Sequence, residues 1–328
     1  MTKKVLVTLS FSPDMITGFD GCVRMLTDKG FDVEVDARCR SLRTDELIPA
    51  LSGVYAHVAS AEQFTEAVMA AAPELKIISR MGVGYDAVDL PAATRRGIAL
   101  TITPGANADA VAEYTVALML ALTRRLTAID SGAKQGRWET TFGNSIYGKT
   151  LGVIGTGNIG KRVVRNLSGF SMRVLAYDPF PDEAFAREYG VTYCTLEQIF
   201  REGDYISVHC PLTAETQGLV SVKEFALMKP SARVINCARG EIIDEKALYE
   251  ALADKRITGA ALDVYEKEPF DENDPLLSLD NVVLSPHIAG MTYECRKTVI
   301  ETAFQNIIDI AEGRKPDGLI NPEVLDAW

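Results

Sequence analysis

The stretch Leu151-Gly152-Val153-Ile154-Gly155-Thr156-Gly157-Asn158-Ile159-Gly160 leaves the chain least choice of fold. A strand-like apolar run ends directly in G-x-G-x-x-G, and a helical segment follows. Gly155 suits a tight turn, Gly157 lets the backbone approach a pyrophosphate, and Gly160 lets helix and strand pack closely. Backbone N–H groups at the helix start, those of Asn158 and Ile159 among them, then face the phosphate charge. Asp178 ends the next strand, 18 residues past Gly160. A carboxylate there can bind both ribose hydroxyls and repel a 2′-phosphate, which favours NAD over NADP. The motif alone leaves FAD or another adenosine cofactor open.

The surroundings fit that turn. From residue 149 onward, strands are expected at 150–154, 173–177, 205–209, 232–236, 259–263 and 281–284, with helices between them. Six parallel strands with helical crossovers make a complete doubly wound sheet. The first hundred residues alternate in the same way. Strands are expected at 5–9, 31–35, 53–58 and 77–79, and helices at 15–29, 44–51, 65–72 and 91–96. This reads as one small α/β unit. Residues 111–126 are helical and almost wholly apolar, the pattern of a buried helix. The polar stretch 131–147, with Trp138 inside it, reads as a surface excursion or an oligomer contact. A long amphipathic helix is expected over 292–312, with Tyr293, Val299, Ile300, Ala303, Ile307 and Ile310 approximating its apolar face. It would return the last residues to the first unit. No internal repeat is visible.

Composition excludes several classes. A chain of 328 residues suggests about two domains, and 47% apolar with 24% charged residues is ordinary for a globular protein. The net charge of −11, without a basic stretch, argues against nucleic acid and anionic lipid. No apolar run is long enough to span a membrane, and the N-terminal run is too short for a signal peptide. Cys22, Cys39, Cys194, Cys210, Cys237 and Cys295 form no C-x-x-C and no metal-site pattern with His. Free thiols in a reducing cytoplasm are expected, and no metal.

Ligands of such sheets lie beyond the carboxyl ends of the strands. There the sequence offers Val208-His209-Cys210-Pro211, Asn236-Cys237-Ala238-Arg239-Gly240, Asp263 with Glu266, Glu268 and Pro269 after it, and Ser285-Pro286-His287. Two of the chain's three histidines fall on this edge. Moving a hydride between nicotinamide and an alcohol or ketone needs a proton donor at the oxygen, which a His supplies. A carboxylate beside it orients the ring, and an Arg grips a substrate carboxylate bidentately. His287, Glu268 and Arg239 meet that list. The alternatives are a strand-end cap for His287 and a surface ion pair for Arg239. His209 can simply pack beside the cofactor, and His57 reads as a satisfied, partly buried histidine. Glu266 competes with Glu268, and spacing does not choose between them.

These residues resemble the D-isomer-specific 2-hydroxyacid dehydrogenases over nearly the whole chain. The matching segments are Arg80-Met81-Gly82-Val83-Gly84-Tyr85-Asp86-Ala87-Val88-Asp89, the Gly155–Gly160 turn, Asn236 to Asp244, Ala261-Leu262-Asp263-Val264-Tyr265 through Glu268-Pro269, and Ser285-Pro286-His287-Ile288-Ala289-Gly290. The resemblance implies that Arg239 binds substrate, His287 is the acid/base and Glu268, directly before Pro, is its partner. It puts Asp263 beside the nicotinamide and adds His209, Pro211, Cys237, Ala238 and Gly290 as cofactor contacts. Val83 and Gly84 would offer N–H groups to the substrate carboxylate, with Arg80 as a further substrate contact. The implied fold is α/β. A doubly wound parallel (Rossmann) cofactor domain, residues 104–293, is inserted in a smaller flavodoxin-like substrate domain of residues 1–103 plus 294–328. A homodimer through the apolar helix and the Trp138 stretch is also implied.

The pattern looks most like the phosphoglycerate dehydrogenase branch, in which Arg80 matches a residue that meets substrate phosphate. Two departures stand out. Residues 58–60 lack an Arg expected there, and 139–142 lack basic residues. A dianionic phosphate wants two or more cations. Hydroxypyruvate, glyoxylate or another small or branched 2-keto acid therefore fits as well as a phosphorylated one. No regulatory domain is expected after Trp328. Glu268 argues against formate dehydrogenase, which is expected to carry Gln there. NAD-sensing corepressors share the fold and these residues; such a binding protein would be expected to carry disordered tails and a peptide-binding groove, whereas this sequence reads as compact to both ends.

Overall fold

The computed structural model describes residues 2–327. Its contacts form two units, Met1–Asn107 with Met291–Trp328, and Ala108–Gly290. The first unit holds strands β1 (Lys4–Val7), β2 (Asp32–Val35), β3 (Val54–Ala59), β4 (Ile77–Arg80) and β5 (Ala99–Thr101), all parallel, in the order β2-β1-β3-β4-β5. That is the flavodoxin-type order. The inner strands are apolar because both of their faces are covered. β2 (Asp-Val-Glu-Val) stands at the edge and alternates charged with apolar residues.

The helix Tyr293–Ala311 is capped by Thr292, whose Oγ1 accepts from the Cys295 N–H at 3.1 Å. It buries Val299, Ile300, Ala303, Phe304, Ile307, Ile308 and Ile310. Tyr293, expected on that face, is 64% exposed, and the buried face opens instead at Cys295. The chain then runs back along β5. Ile320 N–H donates to Leu100 O at 2.9 Å and Leu100 N–H to Asn321 Oδ1 at 2.8 Å. β5 escaped the sequence reading because three residues show no run, and these partners lie more than 200 positions away. The first helix also starts later than expected, at Phe19, after Gly18 turns left-handed at φ 79°.

His57, in the middle of β3, is fully buried rather than partly so. Its Nε2 lies 3.0 Å from Thr8 Oγ1, and its Nδ1 has no hydrogen-bond partner. Burial, helped by the Arg80 charge, pushes its pKa from 6.5 down to about 3. The folded state therefore holds neutral His57 where the unfolded chain takes up a proton. Stability from this site is intact above pH 6.5 and is lost as pH falls toward 3. Between pH 7 and 4.5 the expected loss is about 2–3 kcal/mol. Urea unfolding at the two pH values measures it. His57→Leu should flatten the dependence, though His209, pushed to about 4 by burial, keeps part of it. An unchanged slope in that variant refutes the account.

The second unit has seven parallel strands: β6 (Thr150–Ile154), β7 (Arg173–Tyr177), β8 (Val191–Tyr193), β9 (Tyr205–Val208), β10 (Arg233–Asn236), β11 (Gly259–Leu262) and β12 (Val282–Leu284). Their order is β12-β11-β10-β9-β6-β7-β8, the doubly wound arrangement extended by one strand. Neighbouring residues enter opposite cores. Val234 packs with Ile206 and Leu262 on one face, while Ile235 packs with Tyr205 and Ala261 on the other. The sequence reading of six strands missed β8, which is three residues long.

The apolar helix spans Ala108–Arg124 and stops where Arg125 turns left-handed at φ 54°. A second helix, Leu126–Lys134, occupies sequence expected to be the first helix's end and a polar excursion. No Gly or Pro marks that break. Among the described residues no helix is long and apolar enough to cross a membrane.

Candidate active site

The strand order of the second unit reverses between β6 and β9, and a crevice opens at such a point outside the carboxyl ends. Gly155 follows β6 with φ 94°, and a Cβ there would lie 2.7 Å from His209 C and Cys210 N. A Cβ on Gly160 would stand 2.1 Å from Gly155 O. These two glycines are demanded by the protein's own packing. Gly157 is different, because a Cβ there would meet nothing within 4 Å. Its bareness serves approach from outside, at the start of the helix Asn158–Asn166. Uncovered N–H groups at a helix start suit a pyrophosphate, so these residues fit a dinucleotide.

Asp178 directly follows β7. Its Oδ2 accepts Thr156 N–H at 2.7 Å and Thr156 Oγ1–H at 3.1 Å, and its Oδ1 accepts Phe180 N–H at 2.9 Å. The carboxylate is thus bound to the glycine turn itself. His209, after β9, is half-buried with Nε2 2.8 Å from Ser207 Oγ. Burial pushes its pKa to about 4, so it is neutral near pH 7 and a poor proton donor. Pro211 follows on the same loop, where its carbonyl accepts from Thr216 Oγ1 at 2.6 Å. Burial pushes the Cys237 thiol up to about 12, which makes it a poor nucleophile.

Asn236, the last residue of β10, clamps the loop that carries Arg239. Its Oδ1 accepts Ala238 N–H at 3.0 Å, and its Nδ2 donates to Arg239 O at 2.8 Å. After β12 the chain brings His287 to Glu268, with Nδ1 to Oε2 at 2.6 Å. Glu268 Oε1 also accepts Tyr265 N–H at 3.1 Å. Burial favours the neutral acid. The His287 hydrogen bond and charge, the Tyr265 N–H and the Arg239 charge outweigh it and hold the carboxyl below its ordinary range. Glu266, the competitor, turns elsewhere and accepts Glu245 N–H at 3.0 Å.

His287 adopts φ 53°, uncommon outside glycine. Asp263 holds the loop in that shape. Its Oδ1 accepts Ser285 Oγ–H at 2.7 Å and Ile288 N–H at 2.9 Å, and its Oδ2 accepts Ala289 N–H at 2.8 Å. The family resemblance implies that Asp263 stands beside the nicotinamide. The structure shows a carboxylate 1% exposed and engaged by the histidine loop. Gly290 closes that loop and ends the second unit.

The remaining expected residues belong to the first unit. Arg80 ends β4, and its Nε donates to Gly84 O at 3.3 Å across the turn that contains Val83. Sequence reasoning missed the clamping parts of Asn236, Tyr265 and Asp263. Their signal is weak, a polar residue at each strand end with no partner visible in sequence. Among the described residues no group of three or more His, Cys, Asp or Glu could hold a metal, and the six cysteines are free.

A glycine turn, a His–Glu pair and an Arg loop at the carboxyl ends of one doubly wound sheet are the parts that a nicotinamide-dependent oxidoreductase needs. Comparison with known proteins makes the class specific. Residues 116–289 match the family model described as D-isomer specific 2-hydroxyacid dehydrogenase, NAD binding domain. A glyoxylate reductase of Pyrococcus furiosus is 38% identical over 335 residues, covering 99% of this chain and 97% of that protein. A D-3-phosphoglycerate dehydrogenase of Archaeoglobus fulgidus is 40% identical over 321 residues, 97% of this chain and 59% of that one. The structure of an NADPH-dependent glyoxylate/hydroxypyruvate reductase from Sinorhizobium meliloti, in complex with NADP and malonate, has a TM-score of 0.84 at 29% identity, covering 98% of each chain. The chain belongs to the D-isomer specific 2-hydroxyacid dehydrogenase family. It is an oxidoreductase that acts on the CH–OH group of a 2-hydroxy acid with a nicotinamide cofactor.

Proposed function

We propose that the chain reduces a small, unphosphorylated 2-keto acid such as glyoxylate or hydroxypyruvate with NADH. The observation that carries the chemistry is the 2.6 Å contact between His287 Nδ1 and Glu268 Oε2. Glu268 holds that nitrogen, which leaves Nε2 to face the substrate. His287 Nε2–H then donates its proton to the ketone oxygen. The bound cofactor supplies the hydride to the carbon. Arg239 offers its fork to the substrate carboxylate and draws charge from the adjacent carbonyl. Arg80, Val83 and Gly84 are further proposed substrate contacts, on the family resemblance.

The missing basic residues at 58–60 and 139–142 support an unphosphorylated substrate. Gly155, Gly157, Asn158, Ile159 and Gly160 would hold the pyrophosphate, with His209, Pro211, Cys237, Ala238, Asp263 and Gly290 along the cofactor's remaining length. Asp178 supports NAD over NADP, because its carboxylate would repel a 2′-phosphate. Six free thiols suit a reducing cytoplasm. Leu126, Ile129, Trp138 and Phe142 are exposed apolar residues that support a homodimer, for which sedimentation velocity at micromolar concentration is the test.

An NADH-oxidation panel at 340 nm tests the substrate. It contains glyoxylate, hydroxypyruvate, pyruvate, oxaloacetate, 4-methyl-2-oxopentanoate, phenylpyruvate and 3-phosphohydroxypyruvate. An unphosphorylated acid should lead by at least about tenfold in kcat/KM, worth about 1.4 kcal/mol. A lead of that size for 3-phosphohydroxypyruvate would overturn the proposal and make Arg80 the candidate phosphate anchor.

A further inference from the structure

The cofactor preference proposed above rests on Asp178, yet the orientation of that carboxylate is set by residues outside the glycine motif's usual reading. We propose that Tyr193 and Thr156 form a directed hydrogen-bond relay that positions Asp178 toward the adenosine ribose and thereby sets the preference for the cofactor without a 2′-phosphate.

The direction of the relay follows from proton counting. Thr156 has one hydroxyl proton, and its Oγ1 donates it to Asp178 Oδ2 at 3.1 Å. Tyr193 Oη lies 2.9 Å from the same Oγ1, so Tyr193 must be the donor between them. Tyr193 Oη in turn accepts the Asp182 N–H at 3.1 Å. Every proton in the chain Asp182, Tyr193, Thr156, Asp178 therefore points toward the carboxylate. Hydrogen bonds aligned head to tail polarise one another, which strengthens the last of them.

The same count says which atom is left for a ligand. Oδ2 accepts both the N–H and the hydroxyl of Thr156, which fills its two lone pairs. Oδ1 accepts only the Phe180 N–H among the described residues and keeps one acceptor direction. Asp178 thus presents one oxygen, in a fixed orientation, to a ribose hydroxyl. The sequence expectation is that a carboxylate here binds both ribose hydroxyls; any such contact would fall to Oδ1.

The relay is itself anchored. Asp182 Oδ1 caps the helix Glu183–Tyr189 through Ala184 N–H and Phe185 N–H, both at 3.0 Å. Its Oδ2 binds Lys161 Nζ at 2.5 Å. Lys161 lies on the helix that opens at the glycine turn, so a cation that could attract a 2′-phosphate is engaged by Asp182 instead. Tyr193 stands on β8, the short strand at the sheet edge. It carries no part of the nucleotide motif, so its role here is positioning, not catalysis.

The test is the ratio of dissociation constants for NADH and NADPH, read by cofactor fluorescence on one preparation of each variant. Such a ratio does not depend on the fraction of protein that is folded. Tyr193→Phe removes the donor to Thr156 and frees its hydroxyl to turn away. The preference for NADH should fall about tenfold, the size of one hydrogen bond to a charged group. Thr156→Ala should lower it at least as much, and Thr156→Ser, which keeps the hydroxyl, should retain most of it. Asp178→Ala should abolish it. If Asp178→Ala abolishes the preference while Tyr193→Phe and Thr156→Ala leave it within twofold of the parent, the relay is overturned and the Asp178 reading stands. If Asp178→Ala leaves the preference unchanged, the cofactor reading falls and the relay with it.

Discussion

His287→Ala is expected to lower kcat on the preferred 2-keto acid by about 10²–10⁴-fold, or about 3–5 kcal/mol of barrier, while the Kd for NADH changes little. In the proposed mechanism the ring is the proton donor, so its removal would take away an interaction made in the transition state. The variant should remain folded, because the hydrogen bonds that shape the loop do not pass through the imidazole. The loop is held by Ser285 Oγ and by the Ile288 and Ala289 N–H groups, all bound to Asp263. The His287 side chain is 52% exposed and bonds to Glu268. Stopped-flow reduction with NADH, together with a fluorescence titration, separates the chemical step from binding. Turnover within tenfold of the parent would remove His287 from its proposed role. In the same mechanism Glu268 should set the acid limb of the pH–rate profile. Its carboxyl is held below the ordinary range, so the pair survives mild acid and is lost only as pH falls through that lowered value.

What the sequence made legible was whatever is encoded by neighbours in the chain. An apolar run closed by turn residues marks a strand end. Thr150–Ile154 before Gly155, Arg233–Asn236 before Arg239 and Val282–Leu284 before His287 could therefore be found without coordinates. Elements that owe their form to distant partners were not legible. β5 gains an antiparallel neighbour from residues near 320, and β8 is a three-residue edge strand. The break at Arg125 has a left-handed backbone at a residue type that gives no warning of it. The site shows the same division. Arg239, Glu268 and His287 stand in recognisable segments. The partners that hold them do not, because Asp263's role lies in which atoms its two oxygens meet, and no spacing rule records that. Tyr193 is the extreme case, since it bonds to the glycine turn from 37 residues away.

Gly240→Ala should be the most damaging single-methyl change in the second unit, and its effect should reach all three proposed catalytic residues. A Cβ on Gly240 would stand 1.9 Å from the Tyr265 carbonyl carbon, 2.1 Å from its oxygen and 2.4 Å from Glu266 N. All three are backbone atoms, so no side chain can rotate away, and one of the two loops must move. On one side lies the Arg239 loop, clamped by Asn236 through Ala238 N–H and Arg239 O. On the other lies Tyr265, whose carbonyl the methyl would strike and whose own N–H holds Glu268 Oε1 at 3.1 Å. A shift of either loop changes the distance between the group proposed to grip the carboxylate and the pair proposed to move the proton. Misplacement by about 1 Å costs on the order of 10² in rate, and overpacking a tight contact costs about 1–3 kcal/mol of stability. The expected result is a loss of about 10²–10³ in kcat/KM with a lowered Tm. The NADH Kd should suffer less, because Gly155, Gly157 and Gly160 lie on a different loop. Steady-state kinetics, calorimetry and the NADH titration together measure it. A variant whose kcat/KM stays within threefold of the parent would show that the two loops are not locked to one another through this glycine.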